Sequence, residues 1–111
     1  MLTKFLTNRL PRFAHDRAKT DRNSTSKLSP HFHFGEMSVR YVYYAVKQRE
    51  AAWSPQQGGQ ASSCADFLQQ IGYREYSRYL SWHFPFTHER SLLEHVRACP
   101  YRIDQGLFKV R

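Results

Sequence analysis

The chain of 111 residues is long enough for one small domain, and with 41% hydrophobic and 23% charged residues it is not a disordered polyelectrolyte. Its formal net charge of +8 favours an anionic partner such as nucleic acid, an acidic membrane surface or a phosphate-bearing cofactor, with a solvated basic surface as the alternative. The aromatic content of 15% predicts a substantial core or a large planar partner.

Cysteine usage and hydropathy bear on the compartment. Cys64 and Cys99 lack the spacing of a zinc finger, and so few cysteines fit a reducing compartment, although two cysteines leave a disulfide bridge open. No run of the sequence approaches the ~18 apolar residues of a membrane span, so we expect no membrane partner. The amino-terminal residues lack the apolar region of a secretory signal, and the expected location is the nucleus or cytoplasm. Because residues 1–20 are basic, acid-poor and amphipathic, targeting to a chloroplast or mitochondrion stays open.

Residues 1–22 form a predicted helical lead-in segment. Its apolar side chains fall on one helical face: Leu2, Phe5, Leu6, Leu10 and Phe13. Pro11 lies inside this pattern, which predicts either a kinked helix or two short helices. Residues 23–30 are dense in small hydroxyl side chains and end at a proline, which indicates a structured loop.

Two longer helices are predicted next. The first begins near Glu36 and runs to about Trp53, with an apolar face of Val39, Val42, Tyr43 and Val46. The second spans residues 63–83, where Ser63 is a candidate N-cap with Asp66 three residues on. The apolar side of this second helix carries Phe67, Leu68, Ile71, Tyr79 and Trp82. Gly72, in mid-helix, suggests that another group approaches closely there.

The remaining sequence is less regular. Leu92, Leu93 and Val96 predict a short apolar turn, and residues 104–111 predict the opening of another helix. Trp53 and Trp82 are expected to be core aromatics. No strand alternation of useful length and no internal repeat is visible, so the predicted fold class is all-α.

The loop of Thr25, Ser26, Lys27, Leu28 and Ser29 is the candidate phosphate site. It places three hydroxyls and a lysine within five residues, ahead of a helix. Hydroxyl and loop N–H groups donate to phosphate oxygens, and the lysine adds a positive charge. Taken alone, such loops are more often turns and helix caps than ligand sites.

Two blocks of sequence carry a family resemblance. TSKLSPHFHFGEMSVR at residues 25–40 resembles the signature of the cryptochrome/DNA photolyase family, and IGYREYSRYLSWHFPFTHERSLL at residues 71–93 resembles that family's Arg-Glu-aromatic helix and the turn after it. The wording Arg-Glu-Tyr-Ser-Arg-Tyr is especially similar to plant-type cryptochromes. The resemblance implies that residues 23–111 are the amino-terminal half of the family's helical FAD-binding domain.

In that family the Thr-Ser-x-Leu-Ser loop grips the pyrophosphate of FAD. The resemblance carries this role to Thr25, Ser26, Leu28 and Ser29, with Lys27 in the variable place. A tyrosine near the flavin phosphates corresponds here to Phe13, which keeps the ring but lacks the hydroxyl donor. Gln70 and Arg74 are carried over as further cofactor-binding residues.

Residues of the long helix bear on a choice between repair and light reception. Where photolyases usually have a tryptophan that packs on a flipped-out pyrimidine dimer, this sequence has Tyr73, and where repair enzymes tend to have a glutamate, it has Gln70. Both differences weaken the argument for a repair function, although a tyrosine ring can also stack on a base. Arg74 and Arg78, spaced with Gln70 on one helical face, are candidate DNA contacts together with Tyr73.

Three functions stay open on this basis. The first is a part of a FAD-binding blue-light photoreceptor that signals through partner proteins, and the second is a part of a DNA photolyase. The third is a non-catalytic truncated product or helical interaction module. Because neither the second group of flavin helices nor the antenna domain is matched, we expect a fragment that binds FAD weakly or not at all by itself.

No catalytic residue and no metal site is assigned. His31 and His33 form an H-x-H pair, but no third ligand is evident nearby, and zinc needs at least three protein ligands. Cys64 is expected to be a core or surface residue and not a nucleophile.

Overall fold

The computed structural model describes residues 1–53 and 58–100. Within these ranges the chain is helical and contains no strand, which confirms the all-α prediction. The α-helices are α1 (Leu2–Asn8), α2 (Phe13–Asp16), α3 (Ser29–His33), α4 (Val39–Ala51), α5 (Gly58–His83) and α6 (Glu94–Arg97), and the 3₁₀ helices are Leu10–Arg12 and Pro85–His88. No described helix combines the length and apolarity needed to cross a membrane.

The chain packs as two units, Met1–Glu75 and Tyr76–Arg111. The core of the first unit brings together apolar side chains from α1 to α5: Leu2, Phe5, Leu10, Phe13, Leu28, Phe32, Val42, Val46, Cys64, Phe67 and Ile71. At its centre the Phe67 ring lies 4.7 Å from the ring of Phe5 and 5.4 Å from that of Phe13. Such tilted and edge-on aromatic pairs add about 0.5–1.5 kcal/mol each beyond the burial of their area.

The amino-terminal pattern resolves into short pieces, as Pro11 predicted. Pro11 lies within the first two positions of the 3₁₀ helix Leu10–Arg12, where its missing N–H leaves no intrahelical bond unmade. The Leu2–Phe13 face packs on the core, with Leu6 partly buried. The boundary at residue 22 between a lead-in and a FAD-binding segment stays a prediction.

Two helix starts differ from the sequence prediction. The His31–His33 stretch belongs to α3, which begins at Ser29 inside the predicted loop, because Pro30 suits the first turn of a helix. Gly35, with φ 72, follows the end of α3. The next helix then begins at Val39, and not near Glu36, since Ser38 has an extended backbone with ψ 130.

The long helix α5 begins earlier than predicted. It starts at Gly58, so Ser63 is an interior residue, 1% exposed, and the predicted N-cap is wrong. Phe67 and Ile71 are buried as predicted, but Tyr79 and Trp82 are 56% and 83% exposed. The core prediction for Trp82 is therefore wrong, whereas Trp53 does pack against the core.

Gly72 lies in an open position on α5. Apart from its chain neighbours and the adjoining backbone of α5, no described residue comes within 4 Å of a Cβ built at this position, so the close approach predicted there is not made by the described part of the chain.

In the second unit the carboxy-terminal part of α5 is followed by the 3₁₀ helix Pro85–His88 and by α6. Arg90 and Arg97 each place a guanidinium over the Phe86 ring, 5.0 Å and 5.3 Å from its centroid. Where an apolar turn was predicted, the structure has the short helix α6, which contains Val96 and begins just after Leu93. Val96 is half-buried, whereas Leu92 and Leu93 are exposed. The helix predicted for residues 104–111 lies outside the described residues.

Candidate functional site

Residues 25–29 span the end of the connection from α2 to α3, with Ser29 the first residue of α3, and this loop is anchored by one apolar side chain. Leu28 is fully buried in the core, and its carbonyl accepts the N–H of Phe32 at 3.0 Å. Thr25, Lys27 and Ser29 are exposed around it, and Ser26 is half-buried. The sequence-predicted loop residues therefore lie together, with hydroxyl and ammonium groups open to an anion and Leu28 serving as the anchor.

Lys27 has an unusual backbone. Its φ of 56 makes it the single non-glycine residue with a positive φ among those the structure describes. A left-handed conformation costs an ordinary L-residue about 1–2 kcal/mol. Strain of this kind concentrates at ligand-binding loops, where the surrounding structure holds it in place.

Two interactions hold the amino-terminal side of the loop. The buried Ser24 hydroxyl donates to the carbonyl of Asp16 at 3.0 Å. The Arg9 Nη1 donates to the carbonyl of Thr25 at 3.1 Å, sixteen positions along the chain. Sequence reasoning missed both contacts, because Asp16 and Arg9 belong to no motif and both bonds end on backbone carbonyls.

Asp16 is a buried carboxylate at the base of this region. Its Oδ1 lies 2.8 Å from His15 Nδ1, 2.8 Å from Arg22 Nη1 and 3.8 Å from Lys19 Nζ. The His15 hydrogen bond, with the positive charges of Arg22, His15 and Lys19, holds the pKa of Asp16 below its ordinary value against the effect of burial. The carboxylate is thus ionised at neutral pH and orients Arg22.

Arg74 on α5 reaches the helix that follows the loop. Its guanidinium lies 5.3 Å from the centroid of the Phe32 ring, and its Nη2 donates to the Phe32 carbonyl at 3.1 Å. It also pairs with Glu75. The structure therefore brings Arg74, predicted for the cofactor site, onto α3, the element that begins at Ser29.

The other predicted residues are more dispersed. Phe13 is 5% exposed, and its ring packs in the aromatic core against Phe5 and Phe67. Gln70 is half-buried, and Tyr73 is 57% exposed with its hydroxyl accepting Gln69 Nε2 at 3.0 Å. Arg78 belongs to the second unit and is exposed. Whether these four side chains contact a cofactor or DNA stays a prediction.

The donor set of the loop suits a phosphate anion. Three hydroxyls and one ammonium within five residues supply hydrogen-bond donors and positive charge, as the pyrophosphate of a dinucleotide requires.

The H-x-H pair is relevant to metal binding, and in the structure His31 Nδ1 pairs with the Glu36 carboxylate. In residues 1–53 and 58–100, no group of three or more His, Cys, Asp or Glu side chains is placed to hold a metal ion.

Comparison with characterised proteins gives relatives over nearly the whole chain, although no family model matches. The chain is 44% identical over 110 residues to Cryptochrome-2 of Arabidopsis thaliana, covering 98% of this chain and 18% of that protein. It is 43% identical to Cryptochrome-1 of Sinapis alba, covering 98% and 22%. It is 32% identical over 108 residues to a deoxyribodipyrimidine photo-lyase of Thermus thermophilus, covering 97% and 23%.

The chain thus spans less than a quarter of the length of each of these three relatives. The identity to the two plant cryptochromes is higher than the identity to the photolyase, which agrees with the plant-type residues of the Arg-Glu-Tyr-Ser-Arg-Tyr segment. By these relatives and by its all-α structure, the chain belongs to the cryptochrome/DNA photolyase family as a segment of the helical domain.

Proposed function

We propose that this chain contributes the pyrophosphate-binding part of the flavin site of a cryptochrome-type blue-light receptor. Cryptochromes and photolyases generally bind FAD. The observation that supports this role most directly is the loop of residues 25–29, in which buried Leu28 fixes the backbone while Thr25, Lys27 and Ser29 stay exposed.

Each loop residue has a distinct part in binding the pyrophosphate. The hydroxyls of Thr25 and Ser29 donate hydrogen bonds to phosphate oxygens, and the Lys27 ammonium supplies a positive charge. The Ser26 hydroxyl accepts the N–H of Leu28 at 3.3 Å, which shapes the loop from within. When bound, FAD supplies the blue-light absorption and the electron-transfer chemistry.

Sequence identity to the relatives and the residues at two positions favour a receptor over a repair enzyme. The plant cryptochromes are 43–44% identical to this chain, against 32% for the Thermus photolyase. Gln70 and Tyr73 stand where repair enzymes usually have glutamate and tryptophan. Repair remains the second candidate, because Tyr73 is 57% exposed and an exposed ring can stack on a base.

The flavin proposal is tested by comparing two ligands that share the isoalloxazine ring. FAD and riboflavin are titrated separately into the purified chain, and flavin fluorescence is followed. We expect FAD to bind weakly, since the loop supplies only phosphate contacts, and riboflavin to bind more weakly still. Thr25→Val and Lys27→Gln should each lower FAD affinity, by about fivefold or more for the loss of one charge-assisted hydrogen bond.

Ser62→Ala is the matched control, since Ser62 is an exposed hydroxyl residue on α5 outside the loop. It should leave both affinities unchanged. Equal binding of riboflavin and FAD, or FAD binding that ignores the two loop substitutions, would contradict a pyrophosphate site at residues 25–29.

Repair is tested on DNA. Preference of the chain for an oligonucleotide that carries a pyrimidine dimer over the undamaged strand, lost in Tyr73→Ala and kept in Tyr73→Trp, would favour a photolyase over a receptor. Binding to both strands alike, falling steeply with salt, would report only phosphate backbone contact.

A further inference from the structure

A basic pocket lies beside the loop but does not share its residues. It has a volume of about 140 Å³, and its lining residues are Asn8, Arg9, Arg12, Asp16, Arg22, Asn23 and Ser24. The pocket lies entirely in the first unit, Met1–Glu75. A drug-sized or larger ligand needs roughly 300 Å³ or more, so this pocket suits an ion or a single chemical group.

The charges of the lining residues do not cancel. Three arginines and one aspartate line the pocket, and a count of their formal charges leaves two net positive charges. The Asp16 carboxylate is moreover shared with His15 and Lys19, which lie outside the pocket lining. The second acidic neighbour, Asp21, lies 3.9 Å from Arg22 Nε with its side chain 76% exposed, so it neutralises little.

The three arginines differ in what already holds them. Arg22 is fixed by the Asp16 carboxylate at 2.8 Å, and Arg9 by the Thr25 carbonyl at 3.1 Å. Arg12 is exposed, and within residues 1–53 and 58–100 its side chain makes no hydrogen bond or ion pair. A guanidinium has five N–H donors, so all three retain donors that their present partners do not use.

We propose that this pocket binds a phosphate dianion, either as inorganic phosphate or as a phosphate monoester. A monoester carries a charge of about −1.5 to −2 at neutral pH, which matches the two net positive charges of the pocket. Arginine forks suit phosphate oxygens, and the Asn8 and Asn23 amides add neutral donors. Arg22 and Arg9 hold preorganised positions, and Arg12 completes the site when the anion arrives.

This site goes beyond the flavin proposal. Its arginines and asparagines lie outside residues 25–29, and the volume admits a phosphate group but not a dinucleotide. The two regions are in contact through Arg9 of the pocket, whose Nη1 donates to the Thr25 carbonyl of the loop.

The test is a titration of the purified chain with inorganic phosphate at constant ionic strength, followed by ¹H–¹⁵N NMR. We expect saturable shifts at millimolar phosphate, concentrated in residues 8–24. Arg12→Gln should raise the Kd about tenfold, the value of one lost charge-assisted contact, while Arg12→Lys should retain part of the affinity. Lys4→Gln removes one exposed charge from α1 outside the pocket and should leave the Kd unchanged.

Two further ligands separate the sources of the phosphate. A nucleoside monophosphate that binds more tightly than inorganic phosphate, with the same Arg12 dependence, identifies a phosphate monoester as the ligand; equal affinities identify free phosphate. An oligonucleotide without terminal phosphates should bind no better than either. Shifts from the oligonucleotide alone would overturn the proposal in favour of a nucleic-acid backbone surface.

Other outcomes also overturn it. These are the absence of saturable phosphate shifts, and equal weakening by Arg12→Gln and Lys4→Gln, which would indicate a general effect of charge. Failure here is distinguishable from failure of the flavin proposal, because Thr25→Val should lower FAD affinity without changing the phosphate Kd. Since Arg12 is exposed, its substitutions should leave the helical circular dichroism unchanged.

Discussion

The Ser63 hydroxyl on α5 accepts a hydrogen bond from the backbone N–H of Ala14 at 3.1 Å, joining positions that are 49 residues apart. The same hydroxyl donates to the carbonyl of Pro11 at 3.3 Å. Ala14 lies in the first turn of α2, whose N–H groups have no partner within the helix. One buried side chain therefore fixes the broken amino-terminal helix against α5.

Replacing Ser63 with alanine should destabilise the first unit by about 1–3 kcal/mol, because two half-buried backbone groups lose their partner. The free energy of unfolding is measured by urea denaturation. Ser62→Ala is the control, since Ser62 is the exposed neighbour on the same helix and its loss should cost no more than about 0.5 kcal/mol. Equal effects of the two substitutions would show that the bridge contributes nothing.

Ser63 also shows what the sequence can and cannot predict. Its spacing from Asp66 is that of a helix cap, and local pattern alone does not distinguish a cap from an interior serine that bonds to a distant backbone. The bond to Ala14 is non-local, so no neighbouring residue marks it. The same limit hid the Arg9 bond to the Thr25 carbonyl.

Periodicity predicted α5 well only where the helix crosses the core. Phe67 and Ile71 are buried as their spacing requires, but the same stripe continues into exposed Tyr79 and Trp82. Period fixes which side chains share a face, whereas burial depends on whether another element covers that face. Pro30 was ambiguous in a comparable way. A proline is found both where a helix ends and in the first turn of a helix, and here it lies in the first turn of α3, not at the end of a loop.

The left-handed backbone of Lys27 gives a second prediction. Lys27→Gly removes both the charge and the conformational cost, while Lys27→Ala removes only the charge. We expect the glycine variant to be more stable than the alanine variant by about 1 kcal/mol, measured by thermal or urea unfolding. Both variants should lose FAD affinity to a similar extent, because the ammonium is absent from each.

The stability comparison is informative in both directions. If alanine proves as stable as glycine, Lys27 does not hold a positive φ in solution. If glycine restores FAD affinity that alanine lacks, the backbone conformation and not the ammonium is what the pyrophosphate requires.

The two cysteines should differ sharply in reactivity. Burial raises the pKa of the Cys64 thiol to about 11, whereas Cys99 is exposed. Because the thiolate is the reactive form, a disulfide reagent at mildly alkaline pH should modify Cys99 at once and Cys64 only as the first unit opens. The release of coloured thiol is followed over time, and two phases are expected.

Cys99→Ser should abolish the fast phase, so that only the slow phase of Cys64 remains. Unfolding in urea should convert this slow phase into a fast one. A fast reaction of Cys64 in the folded Cys99→Ser variant would contradict the buried core position. The raised pKa also implies that the contribution of this thiol to stability is present below its ordinary value of 9.0 and is lost as the pH rises through about 11.

Asp16 predicts the opposite pH dependence. Its pKa is lowered in the folded state, so its contribution to stability is fully present above the ordinary value of 3.8 and is lost as the pH falls through the folded pKa. Asp16→Asn should therefore unfold at a lower urea concentration than the parent chain at neutral pH. The difference between the two should shrink on acidification below pH 3.8, once the parent carboxyl is protonated.

Asp21→Asn is the matched control, because its side chain is 76% exposed and its contact with Arg22 is long, at 3.9 Å. Exposed pairs of this kind contribute roughly 0–1 kcal/mol, so this variant should follow the parent chain at every pH. A difference between Asp16→Asn and the parent that stays constant or grows on acidification would mean that packing, and not the carboxylate charge, is what Asp16 provides. A difference that vanishes would show that the ionised carboxylate, through its hydrogen bond with His15 and its ion pair with Arg22, is what Asp16 contributes to stability.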